Sequence, residues 1–472
     1  MKSILTIGNN RNKCQHFTPS NIVENMLDLA NYKEDLIGLT VLENSFGCGN
    51  IIKAVVKRYI ECGLSKRVSK KKISEGLGRD IYGIELDKKL YHECIRELNT
   101  IVSAYKLPKV EWQLFNDNAL THKYDRDFDL IIGNPPYISY KEIDEENRRF
   151  LKDNYSACEL GKPDYCYAFI ELGIRLLSEK GKLVQLIPNN IYKNVFAEKL
   201  RELMKTHISA VRDYPNKKLF GNALTSVSVF LYDKNDIDDI VDYENVTEGI
   251  KFSISRVNLS NKWLFAPNNE EKLEYIKFGD VFNASVSIAT LCNKAFVLNS
   301  STALEKAIET QVLRKTASPK TLRYKKDKQI IFPYFYKRGE LKKYEHFERK
   351  FPNATKHLME YYSKLDERDS DKNAKWYEYG RSQALAHLNA EKLLISTIIT
   401  NKVEIYHLDA ETIPYSGIYI TVIDNAYTLQ DAMEILTSDA FMNYVRNIGI
   451  SVSGKSLRIT CKDINNYRFK RR

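Results

Sequence analysis

A chain of 472 residues exceeds the roughly 250–300 at which single hydrophobic cores stop growing, so two domains are expected. Hydrophobic content of 43% and charged content of 28% exclude a disordered or collagen-like chain, and no apolar run reaches the roughly 18 residues of a membrane span. Lys and Arg number 72 against 61 Asp and Glu, a formal charge of +11 that suits a polyanionic partner through counterion release.

The first ten residues carry no sustained apolar core and no small-residue cleavage site, so a cytoplasmic protein is expected. Eight cysteines stand singly, without a CxxC pair or histidines at zinc spacing, which predicts reduced thiols and no metal. Thirty tyrosines interleaved with Lys and Arg fit either a tyrosine-rich core or a surface for bases and phosphates.

From Leu39 to Tyr232 short apolar runs alternate with helical periodicity. This pattern predicts βαβ units in a doubly wound, mostly parallel, Rossmann-like sheet of seven strands. The strands are expected at Thr40–Glu43, Ile81–Ile84, Glu111–Phe115, Asp129–Ile132, Lys182–Ile187, Ala210–Asp213 and Ser226–Tyr232. Leu90, Cys94, Leu98 and Val102 share one helical face, and Tyr167, Ile170, Ile174 and Leu177 another.

The first strand ends at Glu43-Asn44-Ser45-Phe46-Gly47-Cys48-Gly49-Asn50 and runs into a helix expected over Ile51–Glu61. Gly47 and Gly49 let backbone approach a ligand closely, and Glu43 can meet a positive group. The second strand ends in Glu85-Leu86-Asp87, where an acidic residue accepts hydrogen bonds from ribose hydroxyls in doubly wound nucleotide sites. The basic insertion Ser65–Arg79 between them reads as a solvated loop. The third strand ends at Asn116-Asp117-Asn118, placing a carboxylate where an adenine amino group could donate. Three acidic strand ends, without the third glycine of the dinucleotide fingerprint, favour a small nucleoside such as S-adenosylmethionine over NAD.

The fourth strand delivers Asn134-Pro135-Pro136-Tyr137 to its C-terminal end, where open α/β sheets place their ligands. Both prolines hold the preceding residue extended. The Asn134 side-chain carbonyl and the Pro135 backbone carbonyl can then converge on one amino group. Two acceptors on a conjugated amino group concentrate electron density on nitrogen and aim it at a sulfonium methyl. Tyr137 offers a ring against which an extruded base can stack.

The acidic stretch Asp233–Glu248 reads as a linker. It divides residues 1–240, a catalytic domain, from residues 241–472, a mixed α+β domain in which Lys and Arg stand beside aromatic rings. Lys337, Arg338, Lys375, Tyr377 and Arg381 are the candidate nucleic-acid contacts there. Residues 449–456 fit the phosphate-loop pattern but lie between a helix-like and a strand-like stretch, the wrong order for such a loop. Asp80, Glu85, Asp87 and Lys88 imitate a nuclease set, yet Glu85 and Asp87 already belong to the second strand end.

With these motifs in hand the chain resembles the gamma-class, TaqI-type DNA adenine-N6 methyltransferases of restriction-modification systems. The segment starting Phe17-Thr18-Pro19 is similar to the family's first motif, which implies that Thr18 and Pro19 cover the methionine end of the cofactor. Ser45, Leu86 and Asn118 join the cofactor set by the same resemblance. Leu219-Phe220-Gly221-Asn222 resembles the second base-stacking segment, which gives Phe220 the other face of a flipped adenine. Asn44 departs from the family's usual proline. Lys294-Ala295-Phe296, Phe332-Pro333-Tyr334 and Lys375–Ser382 resemble pieces of TaqI-type specificity domains. The resemblance implies a monomer that methylates adenine in double-stranded DNA, with a separately encoded restriction endonuclease as a candidate partner. The alternative use of the same tetrapeptide, on a protein glutamine or an RNA base, is disfavoured by the long C-terminal half.

Overall fold

The computed structural model describes residues 18–220, 223–265, 275–381, 384–385, 388–453 and 456–471; the side chains of 216–220, 223–225, 451 and 453 are outside that description. The chain divides into two units, Met1–Asn269 and Glu270–Arg472.

Unit 1 is built on a nine-stranded mixed sheet. Its strands are β1 (Val41–Glu43), β2 (Ile81–Ile84), β3 (Gln113–Phe115), β4 (Phe128–Gly133), β5 (Leu177–Pro188), β6 (Ile208–Phe220), β7 (Ala223–Asp233), β8 (Ile240–Asn245) and β9 (Ile250–Ser255). The order is β3-β2-β1-β4-β5-β7-β6-β8-β9. Strands β1 to β5 pair in parallel, and β7 inserts antiparallel between β5 and β6.

Strand β4 is a near-continuous apolar run because both of its faces are covered. Ile131 packs on one side with Leu42, Leu183 and Phe230. Leu130 and Ile132 pack on the other with Val41, Val184 and Leu186. Each fully buried Leu, Ile or Phe contributes roughly 1.5–3 kcal/mol relative to exposure. Helices α1 (Ser20–Leu29), α2 (Asn50–Ser65), α3 (Lys70–Asp80) and α4 (Lys88–Ala104) supply the second layer; α5 (Glu145–Asn154), α6 (Cys166–Arg175) and α7 (Glu198–Lys205) supply the first.

Three expectations are corrected. The basic insertion forms helix α3 (Lys70–Asp80) rather than a loop. The Ser69 side chain accepts from the Lys72 N–H at its start, and Ile73 and Leu77, four apart, bury one face. The sheet has nine strands rather than seven, because the acidic stretch is not a linker. Val241 and Tyr243 alternate inward along β8, whereas Glu244 pairs outward with Arg212 and Lys251, each at 3.1 Å. Strand β8 pairs in parallel with β6, and β9 closes the edge. The boundary between units therefore falls after Asn269, not after residue 240.

Unit 2 is α+β. Strands Phe282–Val286, Ile418–Val422, Lys392–Ile395 and Ile405–Leu408 form one antiparallel sheet. Val297–Asn299, Lys328–Ile331, Leu313–Ala317 and Ile413–Pro414 form a second, and Tyr334–Lys337 with Glu340–Lys343 a two-stranded hairpin. After helix Asp439–Ile448, strands Ile450–Ser453 and Ser456–Arg458 pair antiparallel, so this segment does not run from strand to helix as a phosphate loop must. Among the described residues no helix is long and apolar enough to cross a membrane.

Candidate functional site

The sheet order reverses between β1 and β4, and the crevice at such a switch point is where open α/β sheets bind ligands. Three separate segments meet there. The Asn134 side-chain amide donates to the Thr18 hydroxyl at 3.2 Å, and the Asn50 amide donates to the Thr18 carbonyl at 3.0 Å. The Ser45 hydroxyl donates to the Asn134 carbonyl at 3.3 Å. Thr18 and Pro19, which lead directly into α1, are thus fastened to both the glycine turn and the tetrapeptide. Asn50 was not anticipated from sequence, although its place at the first turn of α2 beside Gly49 could have suggested it.

The glycine turn uses two different freedoms. Gly49 has φ +85°, and a Cβ there would collide with the Cys94 sulfur of α4. Gly47 has φ +54°, and a Cβ there would meet nothing within 4 Å, so its missing side chain leaves room for a ligand.

Glu43 ends β1 buried, with Oε2 bonded to no partner. Burial pushes its carboxyl well above the usual range, Glu85 adds to the shift, and an N–H from the Ile52 backbone opposes it. Glu85 directly follows β2, and its carboxylate accepts the Gly47 N–H at 2.8 Å and the Asp87 N–H at 2.7 Å. Burial raises its pKa as well, against those hydrogen bonds. A buried and a half-buried carboxylate beside a glycine cradle are an environment that a cation relieves.

Asp117 follows β3; its Oδ1 accepts the Asn118 N–H and its Oδ2 pairs with His122 Nδ1, both at 2.8 Å. Asn118 is buried with no partner for Nδ2. Leu86 is 46% exposed, an apolar side chain open to solvent beside these polar groups. Orphaned Glu43 Oε2 and Asn118 Nδ2, the open space at Gly47 and the exposed Leu86 together fit an adenosyl amino acid with a cationic end.

The tetrapeptide leaves the end of β4, and its Tyr137 ring packs against the layer of α1, α2 and α4. Pro135 is buried, and the Tyr137 hydroxyl donates to the Leu186 carbonyl at 3.0 Å, fixing the ring at the end of β5. Gly133 lies in register with Gln185 on β5, and a Cβ on Gly133 would stand 3.4 Å from Asn44 Oδ1. Asp80 of the nuclease-like set is buried and structural: it accepts from the Gly38 N–H, the Tyr59 hydroxyl and Arg79.

Phe220 lies at the end of β6, among the residues whose side chains fall outside the description. In unit 2, Lys337 and Arg338 are exposed at the hairpin tip, with Arg338 at φ +52° and Gly339 at φ +83°. Lys375 is exposed over the Tyr377 ring. Arg381 is half engaged, paired with Asp369 at 2.8 Å and Asp371 at 3.5 Å. Tyr377 must be removed from the surface set, because it is buried and stacked on Phe347 with centroids 4.7 Å apart. Phe296, Phe332, Tyr334 and Tyr379 are likewise core, so those segments act through packing.

Residues 62–220 match the Eco57I restriction-modification methylase family. The type II methyltransferase M.BstVI of Geobacillus stearothermophilus is 27% identical over 224 residues, 44% of this chain and 40% of that protein. The type II methyltransferase M.HincII of Haemophilus influenzae is 24% identical over 276 residues, 54% of this chain and 46% of that protein. The chain thus spans less than half the length of these curated relatives. A solved structure of the type IIL restriction-modification enzyme MmeI in complex with DNA is similar over 95% of this chain and 64% of that one, with a TM-score of 0.60 at 15% identity, a likeness of fold. The resemblance to restriction-modification DNA methyltransferases is therefore borne out, and S-adenosylmethionine is the cofactor that these matches imply.

Proposed function

We propose that this chain, whose residues 62–220 carry the restriction-modification methylase family, methylates the exocyclic amino group of adenine at a specific sequence in duplex DNA. The observation that carries the reading is the junction of Asn134, Thr18, Ser45 and Asn50 at the switch point, beside three acidic strand ends.

On this reading Glu43 takes the cationic amino acid end of the cofactor, Glu85 the ribose hydroxyls and Asp117 the adenine amino group, with Asn118 and Leu86 lining the ring. Gly47 admits the ligand to the backbone, Gly49 shapes the turn around it, and Thr18, Pro19 and Ser45 enclose its methionine end. Bound there, S-adenosylmethionine supplies an electrophilic sulfonium methyl. The remaining work belongs to the chain. Donation of the Asn134 amide N–H to Thr18 orients the side-chain carbonyl, and Pro135 and Pro136 hold the backbone extended, so the Asn134 and Pro135 acceptors converge on the target amino group. Tyr137 and Phe220 stack the extruded adenine between them. Lys337, Arg338, Lys375 and Arg381 of unit 2 supply phosphate and base-edge contacts. A separately encoded endonuclease reading the same site, in the cytoplasm, completes the proposed system.

The test is incubation with labelled S-adenosylmethionine and, in turn, duplex DNA, RNA and a release-factor-like protein. Label is expected in adenine of the duplex; label entering only the RNA or the protein would replace this reading.

A further inference from the structure

Asp117 stands at an exposed strand end, its side chain 52% accessible, where a carboxylate alone would rotate freely. Two groups hold it. The Asn118 N–H takes Oδ1, and His122 Nδ1 takes Oδ2, each at 2.8 Å. The turn between them is built for this return: the N–H groups of Thr121 and His122 both donate to the Asn118 carbonyl, at 3.1 and 2.8 Å, which swings the imidazole back onto Asp117.

His122 is itself fixed from all sides. Its side chain is 11% exposed, and its ring lies 5.1 Å from that of Phe115, 4.9 Å from Tyr124 and 6.0 Å from Tyr82. Its Nε2 lies 2.9 Å from the hydroxyl of Tyr82, a buried residue of β2. A carboxylate only accepts, so Nδ1 carries the proton toward Asp117; in the neutral imidazole Nε2 is then the acceptor for the Tyr82 hydroxyl. A phenyl ring would fill the aromatic cluster at lower desolvation cost. Both imidazole nitrogens are instead used in one line from the sheet interior to the cofactor end of β3.

The geometry points to His122 as a positioning residue for cofactor recognition: with Tyr82 behind it, it holds Asp117 as a fixed acceptor that selects an amino-bearing purine over an oxo-purine. This rests on the reading of Asp117 as the partner of the adenine amino group. A 6-amino group donates to that carboxylate, whereas a 6-oxo group turns lone pairs toward it. A carboxylate locked in place cannot rotate to escape the second arrangement, so discrimination comes from rigidity as well as charge.

Calorimetric titration of the full chain with S-adenosylhomocysteine and S-inosylhomocysteine tests this without any catalytic turnover. The unaltered protein is expected to prefer the adenosyl compound. His122→Phe should cut that preference about tenfold, the scale of one hydrogen bond to a charged group. His122→Asn, whose amide N–H stands near the position of Nδ1–H, should restore most of it, which a merely structural role would not predict. Tyr82→Phe, which removes one hydroxyl from the cluster, should lower the preference in the same direction and guards against a His122→Phe protein that does not fold. Full preference in both His122→Phe and Tyr82→Phe, with loss in Asp117→Ala, overturns the role of His122 and leaves Asp117 in place. Undiminished preference in Asp117→Ala removes the adenine from this strand end and the inference with it.

Discussion

Thr18 and Asn134, 116 positions apart, meet at 3.2 Å, where the asparagine amide donates to the threonine hydroxyl. The contact orients the side chain on which the proposed chemistry depends. Thr18→Val, which keeps the shape and removes the acceptor, should lower the methyl-transfer rate about tenfold, and Thr18→Ser should retain it. Asn134→Ala should cost at least about a hundredfold in kcat with S-adenosylhomocysteine affinity changed far less. Single-turnover transfer measured beside calorimetric binding checks both; an Asn134→Ala protein with full kcat would remove the paired-acceptor role.

Glu43 gives the site a pH dependence with a definite sign. Its folded pKa is raised, mainly by burial, so the unliganded fold loses stability as pH rises from the ordinary carboxylate range through that raised value. A cationic ligand favours the ionised form. Thermal stabilisation by S-adenosylmethionine should therefore grow with pH across that window, and Glu43→Gln should flatten the growth. Stabilisation that falls with rising pH would place the cation elsewhere.

The two glycines should separate stability from binding. Gly49→Ala meets Cys94 and sits at φ +85°, so a loss of about 1–3 kcal/mol in unfolding free energy is expected. Gly47→Ala has open space and should cost stability only about 1 kcal/mol for its positive φ while weakening cofactor binding more. Denaturant titration with and without S-adenosylhomocysteine distinguishes them; equal effects of both on binding would contradict the cradle.

Much of unit 1 was legible because its central strands are buried on both faces. β2 occupies the four residues expected, Ile81–Ile84, since no charged residue interrupts the run and the preceding helix α3 ends in Arg79 and Asp80. What was illegible has a common cause: charge that conceals a one-sided apolar pattern, or a partner far away in the chain. Lys70, Lys71 and Lys72 masked the Ile73 and Leu77 face of α3, and acidic residues masked Val241 and Tyr243 in β8. His122 gave no signal because its second partner, Tyr82, is 40 positions away. Tyr377 looked like a surface aromatic beside Lys375, and only the fold reveals Phe347 beneath it.

In unit 2 the hairpin tip offers the cleanest test of nucleic-acid contact. Arg338 occupies left-handed backbone at φ +52°, uncommon for its type and placed at an exposed turn next to Lys337. Lys337→Ala is expected to lower the salt slope of DNA binding by about one, the signature of one lost phosphate contact. Arg338→Asn keeps the backbone conformation and should relax sequence preference. Fluorescence anisotropy over a salt series reads both, and unchanged slope and preference would move the contact surface away from this hairpin.

The central claim is most directly tested by nucleoside mass spectrometry of a random-sequence DNA duplex after incubation with the full chain and S-adenosylmethionine carrying a labelled methyl group. The account predicts labelled N6-methyldeoxyadenosine, confined to one sequence context and absent with Asn134→Ala. Label found in cytosine instead, or no labelled nucleoside from a duplex of any sequence, would contradict it.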